Sequence, residues 1–290
     1  MDITKATQKY LEWKATHTIK APSTYELHLK RFSQFTKFKI LENIKLDDII
    51  KFQLLLKIKY SMANVAYSMV ILKNFFEFWK RQNIKCLDPF LIKIPKFIPK
   101  SHATVTYEEY IKLDEVIREN DFYELERKVI VRILWETGMR VGELCDLNVS
   151  NLEEMRPSAL IRTKKNNQMR WVFWGVETHR LLMKYLGIRI HINQTPALFI
   201  ASEKGSRNER ITTRTIQRWI KEIVERAEIN KKISPHSFRH GKAHYILSKG
   251  GNVAEIAKLL GHSDNNPRAA FSYLKLSDLE IKKIAQRFLD

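Results

Sequence analysis

The densest chemistry in the chain lies in the seven residues from Ser234 to His240, SPHSFRH. Serine is a favoured helix N-cap and proline suits the first helical position, so His236 and Arg239 should fall three residues apart on one face of a first helical turn. The free N–H groups and the dipole of such a turn favour an anion. An imidazole and a bidentate guanidinium would complete a phosphate cradle there. Read alone, HxxR also fits an ordinary basic surface turn. A second cationic position appears in WETGMRVGELCDL, Trp135 to Leu147. Gly138 can take the left-handed conformation that ends a helix, presenting Arg140 at the bend, and Glu143 three residues later can orient that guanidinium. In LLGHSD, His262 directly follows a helix expected to end at Gly261.

The elements that must hold these groups are mostly helical. Apolar residues recur at helical spacing over 3–14, 23–35, 46–57 and 62–79, the last carrying Val65, Met69, Leu72, Phe75, Phe76 and Trp79. Residues 1–93 therefore read as a small helical domain. The stretch 94–103, with two prolines among basic and polar residues, reads as a linker. Residues 104–290 form the second domain. It opens with Thr106 and Glu109 as a capping box and stays helical to about Trp135. Residues 159–164 and 169–175 are β-rich and suggest a hairpin turning at Asn166, Asn167 and Gln168; 198–201 suggests a further short strand. Helices are expected again at 213–227, 235–248, 253–260 and 278–288. The fold class is mainly α with a small antiparallel β-sheet, in two domains.

Charge narrows the partner. The 290 residues carry 51 Lys and Arg against 32 Asp and Glu, a net charge of +19. Both segments share it: residues 1–100 hold 19 basic and 8 acidic residues, leaving 32 and 24 for the rest. That distribution suits nucleic acid gripped from two sides better than it suits one basic tail. No apolar run approaches the roughly 18 residues of a membrane span, and the amino terminus lacks the apolar core of a secretion signal, so a cytoplasmic, nucleoid-associated protein is expected. Cys86 and Cys145 are too few for a disulfide framework or a four-cysteine zinc site. No cofactor or metal is expected.

Taken in order, TGMRVGEL, a lysine in the hairpin RTKKNNQMRWV, SPHSFRH, LLGH and a tyrosine near the end resemble the tyrosine recombinases, the site-specific family that includes phage integrases and Xer enzymes. The resemblance covers essentially the whole chain. It implies an amino-terminal domain that clamps DNA and a catalytic domain that cuts it through a 3′-phosphotyrosyl link. It further implies that Arg140 and Arg239 bind the scissile phosphate, that His236 holds or shuttles a proton, and that His262 donates a hydrogen bond to the phosphate. Lys164, or its neighbour Lys165, would be general acid on the leaving 5′-oxygen, and Tyr273 the nucleophile. The chain departs from the family at the tyrosine: the usual position nine residues after His262 holds Phe271, and Tyr273 follows at eleven. Asn265, Asn266 and Pro267 can absorb the two extra residues in a longer loop.

The implied activity is integration, excision or resolution of double-stranded DNA at a specific site by a homotetramer joining two DNA sites, without a membrane partner. Related chemistry in a type IB topoisomerase-like relaxing enzyme, or a DNA-binding derivative that has lost activity, are the alternatives that the same motifs leave open.

Overall fold

In this computed structural model the chain divides into two compact units, Met1–Lys100 and Ser101–Asp290. The structure describes residues 1–17, 23–97, 103–153, 155–163, 168–192, 195–201 and 209–261.

Among the described residues the first unit holds four α-helices: α1 (Ile3–His17), α2 (Ser23–Phe35), α3 (Leu46–Lys59) and α4 (Met62–Arg81). The α4 sequence starts where Ser61 caps it, the hydroxyl accepting from the Asn64 N–H. Its apolar stripe then buries Met69, Leu72, Phe75 and Phe76 against Tyr10, Phe32 and Phe52 of the other three helices. Each such side chain, removed from water, is worth about 1.5–3 kcal/mol, so this aromatic-rich stripe is the main cohesion of the unit.

The second unit comprises α5 (Tyr107–Glu115), α6 (Phe122–Thr137), α7 (Val141–Cys145), the hairpin β1 (Ser158–Arg162) and β2 (Met169–Phe173), α8 (Val176–Ile192), α9 (Thr213–Arg226), α10 (Pro235–Ser248) and α11 (Val253–Leu260). The strands pair antiparallel with Ile161 opposite Arg170. Helix α6 is central, and α8 and α10 both pack on it. The core joins Val129, Ile133 and Trp135 of α6 to Leu181 and Tyr185 of α8, Trp219 of α9 and Phe238 of α10.

Three expectations change. The helix foreseen from Thr106 to Trp135 is two helices, because Asp121 accepts from the Glu124 N–H at 2.8 Å and so starts α6 afresh. Helix α8 stands where no helix was expected. The strand foreseen at 198–201 is reduced to isolated bridges, Asn148 with Ala197 and Ile200 with Arg210. The Ile200 N–H donates instead to the buried Glu126 carboxylate, which Tyr185 Oη also meets. The Thr106 capping box is present, with the Thr106 N–H donating to Glu109 Oε2. Trp135 and Trp174 are buried, whereas Trp171 is half exposed. No described helix is long and apolar enough to cross a membrane. The expected helix at 278–288 lies outside the described residues.

Candidate active site

The site is assembled around the turn between α6 and α7. Gly138 ends α6 in the left-handed conformation at φ 59°, its N–H donating to the Leu134 carbonyl. Only glycine suits this turn twice over. A left-handed backbone disfavours a side chain, and a Cβ here would lie 2.5 Å from Leu260 Cδ2 at the end of α11. The chain then enters α7 through Arg140 as its N-cap residue. The Arg140 N–H donates to Glu143 Oε2 and its Nη1 to Glu143 Oε1, both at 2.9 Å. The sequence reading of Glu143 as the residue that orients Arg140 is therefore met by two hydrogen bonds. The Glu143 side chain is wholly buried, whereas Arg140 keeps 30% of its side-chain surface exposed, so the carboxylate is a fixed anchor and the guanidinium stays reachable.

Arg239 reaches the same turn from α10. Proline at the first position and the Ser234 N–H bonded to Ser237 Oγ start that helix where the sequence pattern placed it. Arg239 is fully buried, and its Nη1 donates to the Gly138 carbonyl at 2.9 Å. Two arginines 99 positions apart in sequence are thus tied to one three-residue bend. The close approach of α10 depends on Gly241, whose missing Cβ would sit 2.0 Å from the Val105 carbonyl oxygen. His236 does not share Arg239's burial. It is exposed and lies edge-on to the buried His240, ring centroids 4.6 Å apart.

The hairpin docks on this assembly through Arg170, a residue that the sequence motifs did not single out. Its Nη2 donates to Glu143 Oε2 at 3.1 Å and its Nη1 to the Leu259 carbonyl at 2.7 Å. Burial pushes its guanidinium below the ordinary value, and the Glu143 charge opposes that shift. A signal was present in the pattern: Arg170 alternates with the buried Val172 and Trp174, so it is a charge on the inward face of a strand. Beside it, Lys242 of α10 and Glu136 of α6 line a small cavity with Trp171, Phe173 and Leu259. Burial holds the Lys242 amine below the usual lysine value.

The structure thus brings Arg140 and Arg239 together and places His236 at the start of the same helix as Arg239. Lys164, Lys165, His262 and Tyr273 lie outside the described residues. Chemically, the described part offers concentrated positive charge on a rigid frame, suited to an oxyanion-rich group. Among the described residues no group of three or more His, Cys, Asp and Glu could hold a metal ion.

Residues 104–276 match the phage integrase family. The tyrosine recombinase XerC of Thermodesulfovibrio yellowstonii is 29% identical over 279 residues, covering 91% of this chain and 88% of the relative. Among solved structures, XerA recombinase is similar at 25% identity and a TM-score of 0.57, covering 98% of both chains. A lambda integrase tetramer bound to a Holliday junction shares the fold at 16% identity and a TM-score of 0.75, over 97% of this chain and 81% of that one. With the family match spanning the unit that ties Arg140 and Arg239 to one turn, the chain belongs to the phage integrase family, as a tyrosine recombinase that breaks and rejoins DNA in site-specific recombination.

Proposed function

We propose that Arg140 and Arg239 bind the scissile phosphate of double-stranded DNA, and that a homotetramer on two DNA sites exchanges strands through 3′-phosphotyrosyl intermediates. The observation that carries this reading is the Arg239 hydrogen bond to the Gly138 carbonyl, which brings the second arginine to the bend presenting the first. In the reaction, Tyr273 Oη gives its proton to His236 and attacks phosphorus, and the 5′-oxygen departs, taking a proton from Lys164 or Lys165. Negative charge grows on the non-bridging oxygens, where the two guanidiniums and His262 meet it, while His236 holds or shuttles a proton. The phosphotyrosyl bond keeps the energy of the broken phosphodiester, so religation to a new 5′-hydroxyl needs no external source. The net charge of +19, spread over both units, supports contacts from each to the DNA backbone. Tetramer assembly is taken from the lambda integrase complex, a tetramer on a Holliday junction.

The test uses nicked duplexes from a randomised pool, on which an active enzyme is trapped covalently because the short cleaved strand diffuses away. Sequencing the trapped DNA also reads out the target. Cleavage should survive EDTA, fall on the order of 10²-fold or more in Arg140→Ala and Arg239→Ala, and leave no adduct in Tyr273→Phe. Full activity in either arginine variant would remove this active site, and an adduct from Tyr273→Phe would remove the nucleophile assignment.

A further inference from the structure

We infer that Arg170 is a positioning residue, acting on Arg140 through the Glu143 carboxylate that the two arginines share. The inference rests on the reading that Arg140 contacts the scissile phosphate. Three observations carry it. First, Arg170 and Arg140 hold the two oxygens of one fully buried carboxylate: Arg140 Nη1 on Oε1, and Arg170 Nη2 on Oε2 alongside the Arg140 N–H. Second, the Arg170 side chain is only 11% exposed, so unlike Arg140 it offers little surface to a ligand. Third, its other arm donates to the Leu259 carbonyl, and Gly261 is shaped around it: a Cβ there would stand 2.5 Å from Arg170 Nε. An arginine placed between a carboxylate and a helix end has a structural role by position, and a cation suits the negative end of α11. The electrostatics give it more.

Glu143 paired with Arg140 alone would cancel the charge that a phosphate needs. Two guanidiniums on one carboxylate leave a net unit of positive charge, and the more exposed partner, Arg140, is the one able to present it. Arg170 thus lets Arg140 be oriented by a carboxylate without being neutralised by it. The same side chain fixes the hairpin, and the end of α11, against the Arg140 turn. Lysine cannot replace it: one amine has no fork with which to hold Glu143 and the Leu259 carbonyl together.

The experiment compares Arg170→Lys and Arg170→Gln in the full chain, alone and with Arg140→Ala, on a nicked duplex that the wild-type protein has enriched from a randomised pool. Thermal melting, duplex binding and single-turnover covalent cleavage are measured for each. Arg170→Lys should bind within about twofold of wild type and cleave about 10- to 100-fold more slowly, the range typical of groups that orient a functional side chain. Arg170→Gln should be slower still. In the Arg140→Ala background, followed over hours, Arg170→Lys should add no further loss, because its effect passes through the missing guanidinium. Wild-type cleavage by Arg170→Lys overturns the inference, as does a second full loss on top of Arg140→Ala, which marks general loosening. If Arg170→Gln does not fold, Arg170→Lys, which keeps a charge opposite Glu143, decides alone. Should Arg140→Ala itself cleave normally, the phosphate reading fails instead, and the two failures remain distinct.

Discussion

Removing the Glu143 carboxylate should destabilise the second unit far more than an ordinary surface substitution does. The side chain is wholly buried and is met by Arg140 Nη1, the Arg140 N–H and Arg170 Nη2. Glu143→Ala would leave Arg170 with 11% of its side chain exposed and no anion, while Arg140, 30% exposed, could turn to solvent. Stranding one partner of a buried ion pair costs about 3–5 kcal/mol. A unit spanning Ser101–Asp290 falls in the size class that loses ~2–4 °C of melting temperature per kcal/mol, so the expected drop is about 6–20 °C. Glu143→Gln keeps an acceptor for the Arg140 N–H and should lose less. Thermal unfolding followed by circular dichroism reads both variants, and the double variant Glu143→Ala with Arg170→Met should recover part of the loss because no charge is then stranded. A Glu143→Ala drop below about 2 °C, or a double variant as unstable as the sum of its parts, would refute the shared-carboxylate reasoning.

Gly241→Ala should destabilise by at least about 1–3 kcal/mol, since its Cβ would lie 2.0 Å from the Val105 carbonyl oxygen, a backbone atom that cannot swing aside. The control is Gly187→Ala in α8, where nothing lies within 4 Å; it should stabilise by about 0.5–1 kcal/mol, and denaturant titration of the pair tests whether close approach rather than glycine itself matters. Lys242→Met should raise the melting temperature at neutral pH. Its folded-state pKa is lowered first by burial, with Glu136 pulling the other way, so charging the amine costs stability below the folded value, and that cost fades as pH rises towards the unfolded lysine value. The gain from Lys242→Met should accordingly shrink as pH is raised into the alkaline range, and a gain that grows there would contradict the burial argument.

What the sequence made legible was whatever is settled within a turn or two of chain. Helices α2, α10 and α11 have the bounds their patterns implied, and the Arg140–Glu143 pair is an i,i+3 contact of the kind spacing reveals. Asp121 went unread because its capping role is visible only once the chain has turned away after Val116. Helix α8 went unread although Leu181, Leu182, Tyr185 and Leu186 mark its buried face, and the cause lies in its polar interruptions: Arg189, on that same side, is buried only because it donates to the Thr195 and Ala197 carbonyls. The motifs that carry the proposed chemistry were legible as residues, but their convergence was not. Arg239 meets Gly138 across 101 positions, Arg170 meets Glu143 across 27 and Leu259 across 89. Such contacts follow from how α6, α10 and the hairpin pack, which periodicity does not report. A guanidinium withdrawn from water, as Arg239 and Arg170 are, costs stability that an apolar residue of similar volume would not. With one on the Gly138 carbonyl and the other on the Glu143 carboxylate, the stability of this region is set below what the same packing with apolar side chains would reach, a cost that fits the proposed phosphate contact.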